Sequence, residues 1–470
     1  EGNLRLRTAG ILAIDVDTDA GTADRVIVSD SAFLGGFVVP IISNIQQRSQ
    51  QYTILSAAGV AVDLGITVED TAVIDYQLLF PNPNDMVLGY QLDFSASGLN
   101  RNQTGIGDHY NQHFDQGGSQ SLQSVLDALL ELPDLMSLAN AYDQLSPEIY
   151  LDTEIAALYS NRDFTNSMMS CPVREGADAF IREDECVWAR VKGREFDQDT
   201  TFETFGFDET AFQVSGGAQF ALGEAWRLGA ALGYEDSNLW TKTNARADGD
   251  RLNGGVVLKY NPGALLLAAG VSGGWGWYDT ERPIDFPGFS AVSSSDNEMG
   301  VINGRLRAAY LFNSGAWYAK PMVDLDATYL DLSNTRERGA GGASLIINGN
   351  DETVLSASPA LELGTQFQWS NGTLIRPYVR GGATFFDNTE FALEASFEGS
   401  ADGVGPFRIR SNTDDVVANL STGVDLINSG GARVKMFYEG SFGDVVEEHS
   451  GGIKISLPFQ REREVQAALQ

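Results

Sequence analysis

No apolar run in this 470-residue chain approaches the roughly 20 residues that a membrane-crossing helix needs. The longest candidate, Leu265 to Val271, is about a third of that length and gives way to Gly and Ser. Basic residues are scarce as well: 31 Lys and Arg stand against 64 Asp and Glu, for a formal net charge of −33. That balance argues against a nucleic-acid partner, because a phosphate backbone attracts cations and repels carboxylates. Cysteine occurs only at Cys171 and Cys186, with no His nearby. A metal or catalytic thiol pair is therefore disfavoured, and a structural disulfide is expected. Tryptophan is missing from residues 1–184; all 7 (Trp188, Trp226, Trp240, Trp275, Trp277, Trp317, Trp369) lie beyond them. A second architecture thus begins near residue 185.

A mean hydropathy of −0.15 would ordinarily exclude a membrane protein. A transmembrane β-barrel escapes that exclusion, because only alternate residues face lipid. Read at period two, Val187 to Phe459 alternates apolar with small or polar residues. Phe212, Val214, Gly216, Ala218, Phe220 and Leu222 oppose Gln213, Ser215, Gly217, Gln219 and Ala221. Trp226, Leu228, Ala230, Leu232 and Tyr234 likewise oppose Arg227, Gly229, Ala231, Gly233 and Glu235. Such alternation is a sheet with one apolar face. Short turn signals at 222–225, 261–263, 313–315, 370–372 and 428–431 alternate with longer polar connections near 197–210, 236–250, 279–299, 331–353, 387–414 and 443–450. All turns then fall at one rim and all long loops at the other. About a dozen antiparallel strands, an even number, suit a transmembrane barrel, whereas a Greek-key sandwich would mix connection lengths. Trp240, Trp277, Tyr278, Trp317 and Trp369 near strand ends suit aromatic girdles at two lipid–water interfaces.

The inward face carries further information. Ala268, Gly270, Ser272, Gly274 and Gly276 leave room for an occupant. Elsewhere it is charged with both signs, by Arg190, Lys192, Arg227, Arg305, Arg307, Lys320, Asp324, Asp326, Arg376 and Arg380, which a wet lumen tolerates. Residues 119–169 supply the candidate occupant, with Leu122, Val125, Leu126, Leu129, Leu130, Leu135, Leu138 and Leu145 at helical spacing. Ser146-Pro147 restarts the helix, and Glu148 to about Met169 would be roughly 30 Å long. Its Asp152, Glu154, Asn161, Arg162 and Asp163 suit a charged lumen; a bundle packed on a soluble core is the alternative on this pattern alone. Residues 1–98 hold short strand-like stretches separated by Gly, Asp and Asn, spaced like rungs of a parallel β-helix. The chain starts in mid-pattern, as expected if more rungs precede it. Residues 99–118 read as a flexible linker.

Three motifs point elsewhere and are set aside. Gly270-Val-Ser-Gly-Gly274 spells a nucleophile elbow but sits inside an alternating strand, without the strand-to-helix turn or the His that chemistry needs. His109 and His113 have the spacing of helical metal ligands, yet fall in the linker with no third ligand close by, and read as solvated. Asp15, Asp17 and Asp19 alternate as in calcium loops, but Gly21 comes one place too late and no Glu closes the loop, so a polar turn is expected. Neither a catalytic site, a metal nor a cofactor is expected.

Several ordered patches resemble one family, the monomeric autotransporters of type V secretion. Gly21–Val28, Ala32–Gly36 and Tyr52–Ala57 look like the family's final passenger rungs, and Asn102-Gln103 like its linker. Asp143, Gln144, Leu145 and Ser146, followed by Glu148 and Tyr150, are similar to its pre-barrel helix motif; Val187–Arg190 resembles its first strand. The resemblance implies a twelve-stranded antiparallel transmembrane β-barrel with a pore helix, preceded by the end of a right-handed parallel β-helix. The implied division is 1–98 passenger rungs, 99–118 linker, 119–169 helical segment, 170–186 cysteine-closed loop, 187–459 barrel and 460–470 tail. It implies export and anchoring of the chain's own N-terminal passenger at the surface of a bacterial outer membrane, by a monomeric barrel. Implied partners are outer-membrane lipid, periplasmic chaperones and the barrel-assembly machinery, which reads a last-strand signal matched by Ser450, Gly452, Ile455, Leu457 and Phe459. Phe459 is not terminal here, and the paired Asn of self-cleaving members is missing, so autocatalytic release is not expected. A porin-like channel, and a β-helix surface enzyme or adhesin whose active part lies upstream, are the competing readings.

Overall fold

The computed structural model describes residues 2–43, 45, 47–173, 182–370 and 372–459. Twelve strands build its largest sheet: β1 (Cys186–Gln198), β2 (Phe207–Ala221), β3 (Trp226–Thr241), β4 (Arg246–Tyr260), β5 (Leu265–Phe286), β6 (Phe289–Tyr310), β7 (Trp317–Leu332), β8 (Asn350–Thr365), β9 (Leu374–Phe386), β10 (Val416–Ile427), β11 (Arg433–Phe442) and β12 (Val446–Pro458). Each pairs antiparallel with the next, and β12 pairs with β1 from Cys186↔Pro458 to Gln198↔Val446. The sheet is therefore a closed cylinder with no free edge.

Its outside is apolar. On β3 the outward face runs Trp226, Leu228, Ala230, Leu232, Tyr234 and then turns acidic at Asp236. At about 3.3 Å per residue that apolar stretch is roughly 26 Å long, which at the usual strand tilt covers about 20 Å of a lipid-facing band. Phe220, Trp226, Phe312, Trp317, Phe367 and Trp369 stand exposed near the short-turn rim, and Tyr234, Trp275, Trp277, Tyr329 and Phe385 near the other. Tyr278, expected in a girdle, instead points inward against Gly249 and Gly276.

Two expected long connections are strand. β3 and β4 run on to a tight turn at 242–245, with Asn244 at φ 65°. β5 and β6 form one ladder ending at Phe286↔Phe289 around Gly288. Above the lipid the outward face meets water, so its polar side chains need not end the pairing, while the inward face, with Leu239, Ala247, Ile284 and Phe286, stays buried in the core. The connections after β7 and β9 also fold: Thr335–Arg336, Leu345–Asn348, Glu390–Phe397 and Phe407–Asn412 form a four-stranded sheet. We call this long-loop end the outer mouth and the short-turn end the inner mouth.

Upstream, pairing is parallel. Leu4 lies beside Ala32 and Ala32 beside Ala61, so successive turns of chain advance by 28 and 29 residues. Ile11–Asp17 and Val26–Val28 make further parallel contacts with the next turn. Ile14, Val16, Leu34, Val38, Ile54 and Leu55 fill the interior. Gly36, at φ 82°, lets the stack close up, since a Cβ there would lie 2.2 Å from the Gly10 carbonyl oxygen. The hairpin Ile74–Asn82/Asp85–Leu92 ends the stack.

Residues 99–118 are not a flexible linker. Arg101–Asp115 is a helix, α1, started by a capping box in which Asn100 and Gln103 satisfy each other's backbone N–H groups. Its Ile106, Tyr110 and Phe114 are buried. α2 (Gln123–Leu130), α3 (Leu135–Leu145) and α4 (Glu148–Met168) follow. One apolar core runs from Ile14 in the stack through α1–α3 to Val446 on β12.

Candidate functional site

α4 occupies the barrel lumen along its axis. Its 21 residues span roughly 32 Å, and nearly all of them are buried. At the outer mouth the Glu148 carboxylate accepts the Phe205 N–H at 2.9 Å. At the inner mouth Lys454 Nζ donates to the Ser167 and Ser170 carbonyls at 2.7 and 2.8 Å. The Cys171–Cys186 disulfide then ties the chain leaving α4 to the first residue of β1. Within the expected loop 170–186, residues 174–181 lie outside the described residues, as does the tail 460–470.

The two sides of the lumen receive α4 differently. Toward β3–β5 the wall lacks side chains where the helix lies closest: a Cβ on Gly233 would meet Phe164 at 2.9 Å, on Gly255 Met168 at 2.5 Å, and on Gly270 Met169 at 2.6 Å. Gly274 and Gly276, predicted to make room for the occupant, instead admit neighbouring wall side chains, Asn253 and Tyr278. Ser272 donates to Asn161 Oδ1 at 3.1 Å, so the hydroxyl of the elbow-like motif is a helix contact.

Elsewhere the helix is held by charge. Asp163 accepts from Arg190 at 2.8 Å and Lys192 at 2.9 Å. Arg162 lies 3.5 Å from Asp326, which also pairs with Arg305 at 2.6 Å; Arg307 pairs with Asp324 at 2.6 Å and reaches Asn166 on α4 at 2.8 Å. Arg194 and Arg251 share Glu209 and Glu235, and Ser160 donates to Glu235 at 2.8 Å. Arg376 and Arg433 flank Asp425, and Arg380 lies 3.2 Å from Glu439. Arg227 also faces inward but sits at the rim, bonding its own turn carbonyls and Asp184. Such pairs return little net stability after desolvation, but removing one partner of a dry pair is costly. They fix where the helix sits.

The helix motif read from the sequence is split. Asp143, Gln144 and Leu145 end α3 outside the lumen, and only Glu148 and Tyr150 belong to α4. Asp143 accepts from Gln103 of α1 at 2.8 Å, and Gln144 accepts from Arg282 and the Asp285 N–H at 2.7 and 2.6 Å. Ser146 accepts the Glu148 N–H at 3.3 Å. The motif is thus a joint between the outer helices, the β5–β6 ladder and the pore.

Sequence reasoning missed the seal at that joint. Glu337 accepts from Arg282 Nε at 3.0 Å, Tyr150 at 3.1 Å, Ser293 at 2.8 Å and the Leu345 N–H at 2.9 Å. Just below, Tyr159, Phe196, Phe207 and Phe386 form a buried aromatic belt. His109 and His113 are buried, not solvated. His109 donates from Nδ1 to the Gly405 carbonyl at 2.9 Å, and the Ala401 N–H donates to His113 Nδ1 at 3.1 Å. Burial pushes the His109 imidazole down to about 4 and His113 below its usual value. Among the described residues no cluster could hold a metal.

On β12, Ile455 and Leu457 face outward, Gly452 passes so close to Val191 and Phe437 that a Cβ would clash, and Phe459 packs edge-on against Phe220 at 5.4 Å.

A closed barrel, greasy outside and plugged by its own chain, defines a bacterial outer-membrane translocator. The family model described as the autotransporter β-domain matches residues 187–439, more than half of the chain. The protein belongs to the autotransporter family. The translocator domain of autotransporter NalP from Neisseria meningitidis shares its fold, with a TM-score of 0.52 at 15% identity over 67% of this chain and 100% of that one. The β domain of the Bordetella autotransporter BrkA gives 0.45 at 19% identity over 59% and 100%. The transport unit of AIDA-I from Escherichia coli gives 0.42 at 13% over 64% and 98%. No curated protein sequence matches the chain.

Proposed function

We propose that residues 1–98 are the membrane-proximal end of a β-helical passenger that this barrel exports and then holds at the cell surface. The observation that supports it is the path of the chain: the parallel stack stands beyond the outer mouth, α1–α3 fill the mouth, and α4 descends to the inner rim. The protein acts without catalysis or cofactor. Folding outside drives export, because each turn added to the stack buries apolar surface at about 25 cal/mol per Å². β12 and the residue after it, with Gly452, Ile455, Leu457 and Phe459, supply the signal for the barrel-assembly machinery, periplasmic chaperones deliver the unfolded chain, and the barrel works as a monomer. α4 and the outer sheet make an open channel the weaker alternative.

The test is Leu55→Asp, which places a carboxylate in a fully buried position of the stack. In intact cells, protease accessibility of residues 1–98 is expected to fall several-fold while the barrel still assembles. Unchanged exposure would remove folding as the driving force. A wild-type segment that proteases never reach from outside would remove the display reading itself.

A further inference from the structure

We propose that the inner half of the lumen is a docking surface for the acidic stretches of residues 1–98 during their passage; this rests on the export reading above. The inner mouth holds a cavity of about 140 Å³ beside the end of α4. Eight Arg and Lys side chains line it against four carboxylates. Lys435 lies over the Tyr378 ring at 4.6 Å and the Phe437 ring at 5.6 Å. A second cavity, of about 160 Å³, continues it upward along α4 and ends beneath Phe386 and Tyr159 of the aromatic belt. The space is thus a blind, basic recess on the short-turn side.

The chain that must cross it has the opposite sign. Residues 1–98 carry 12 Asp and Glu against 4 Lys and Arg. The resident helix already shows what the wall does with a carboxylate: Asp163 is gripped by Arg190 and Lys192. Walls of low dielectric focus such a field, and salt screens it only over roughly 8 Å at physiological ionic strength, so cations lining a cavity act on a strand that passes beside them. Before α4 takes its seat, the same cations face an extended segment whose acidic residues cluster between Asp15 and Asp30 and between Asp63 and Asp93. They hold it transiently and bias it into the pore; no single contact is tight enough to stop it.

The test uses the full chain in cells and follows how fast residues 1–98 become accessible to external protease after a pulse of synthesis. One variant changes the wall, Lys435→Glu with Arg380→Gln. Another neutralises exposed acids of the segment, Asp15→Asn, Asp19→Asn, Asp30→Asn and Asp75→Asn. Slowing of at least about threefold is expected for the wall variant, with heat-modifiable gel migration showing a folded barrel. The neutralised segment should be slow on either wall, losing its sensitivity to the change. Equal rates for wild-type and altered walls would overturn the proposal, and so would equal slowing of both segments by the altered wall. Failure of the wild-type segment to appear at all would count against the export reading instead.

Discussion

The two ends of the lumen differ more than its two sides. At the outer mouth the charge that seals the lumen is dry and multiply bonded: Glu337 accepts from Arg282, Tyr150, Ser293 and the Leu345 N–H, above a belt of four aromatic rings. At the inner mouth the pairs, such as Arg433 with Asp425 at 2.7 Å, border a cavity of about 140 Å³ instead of a packed belt. The contrast teaches that one end is built as a stopper and the other as an entrance. The helix between them belongs to both.

The sharpest way to break this contrast is the same deletion at each end. Glu337→Ala leaves Arg282 dry and unpaired, and should cost about 3–5 kcal/mol. Glu439→Ala, at the edge of the recess where the released cations keep other partners or reach the cavity, should cost less, about 1–2 kcal/mol. Thermal unfolding in detergent reads both, and equal shifts would erase the distinction. Acid should loosen the outer end alone. An unfolded imidazole takes up a proton near 6.5, whereas buried His109 resists until about 4. Its contribution is therefore complete above the higher value and drains away as pH falls toward the lower, by about 3 kcal/mol. Proteolysis between residues 99 and 118 should then accelerate from pH 7 to pH 4, and less so in His109→Gln. Gly255→Leu tests the seat between the ends: crowding Met168 should cost about 1–3 kcal/mol and raise single-channel conductance. The smallest effect belongs to Lys435→Gln, expected within about 0.5 kcal/mol of wild type in the same melt.

The barrel was legible because lipid outside and water inside force a period of two on every strand, as in Trp226 to Glu235. Nothing in that logic reaches beyond the membrane. There Asp248, Asp250, Asp279 and Ser294 read as loop, yet belong to strands, since no lipid-facing apolar side chains mark them. α1 escaped notice because Gly105, Gly107 and its many amides resemble a linker; the Asn100-x-x-Gln103 box and the spacing of Ile106, Tyr110 and Phe114 were the available signal. The Arg282–Glu337 pair spans 55 positions and two connections, and no local pattern announces such a meeting. The small wall departs from its expected role at single residues: a Cβ on Gly270 would meet the chain leaving α4, while Gly274 admits Asn253.

The unbroken core from Ile14 to Val446 makes the junction a bracket, not a tether. Whatever residues 1–98 present is held at one height and one bearing above the bilayer, with no slack to swing. Fluorescence anisotropy of a probe on that stack should therefore decay with the tumbling of the whole barrel, as a mast moves with its hull.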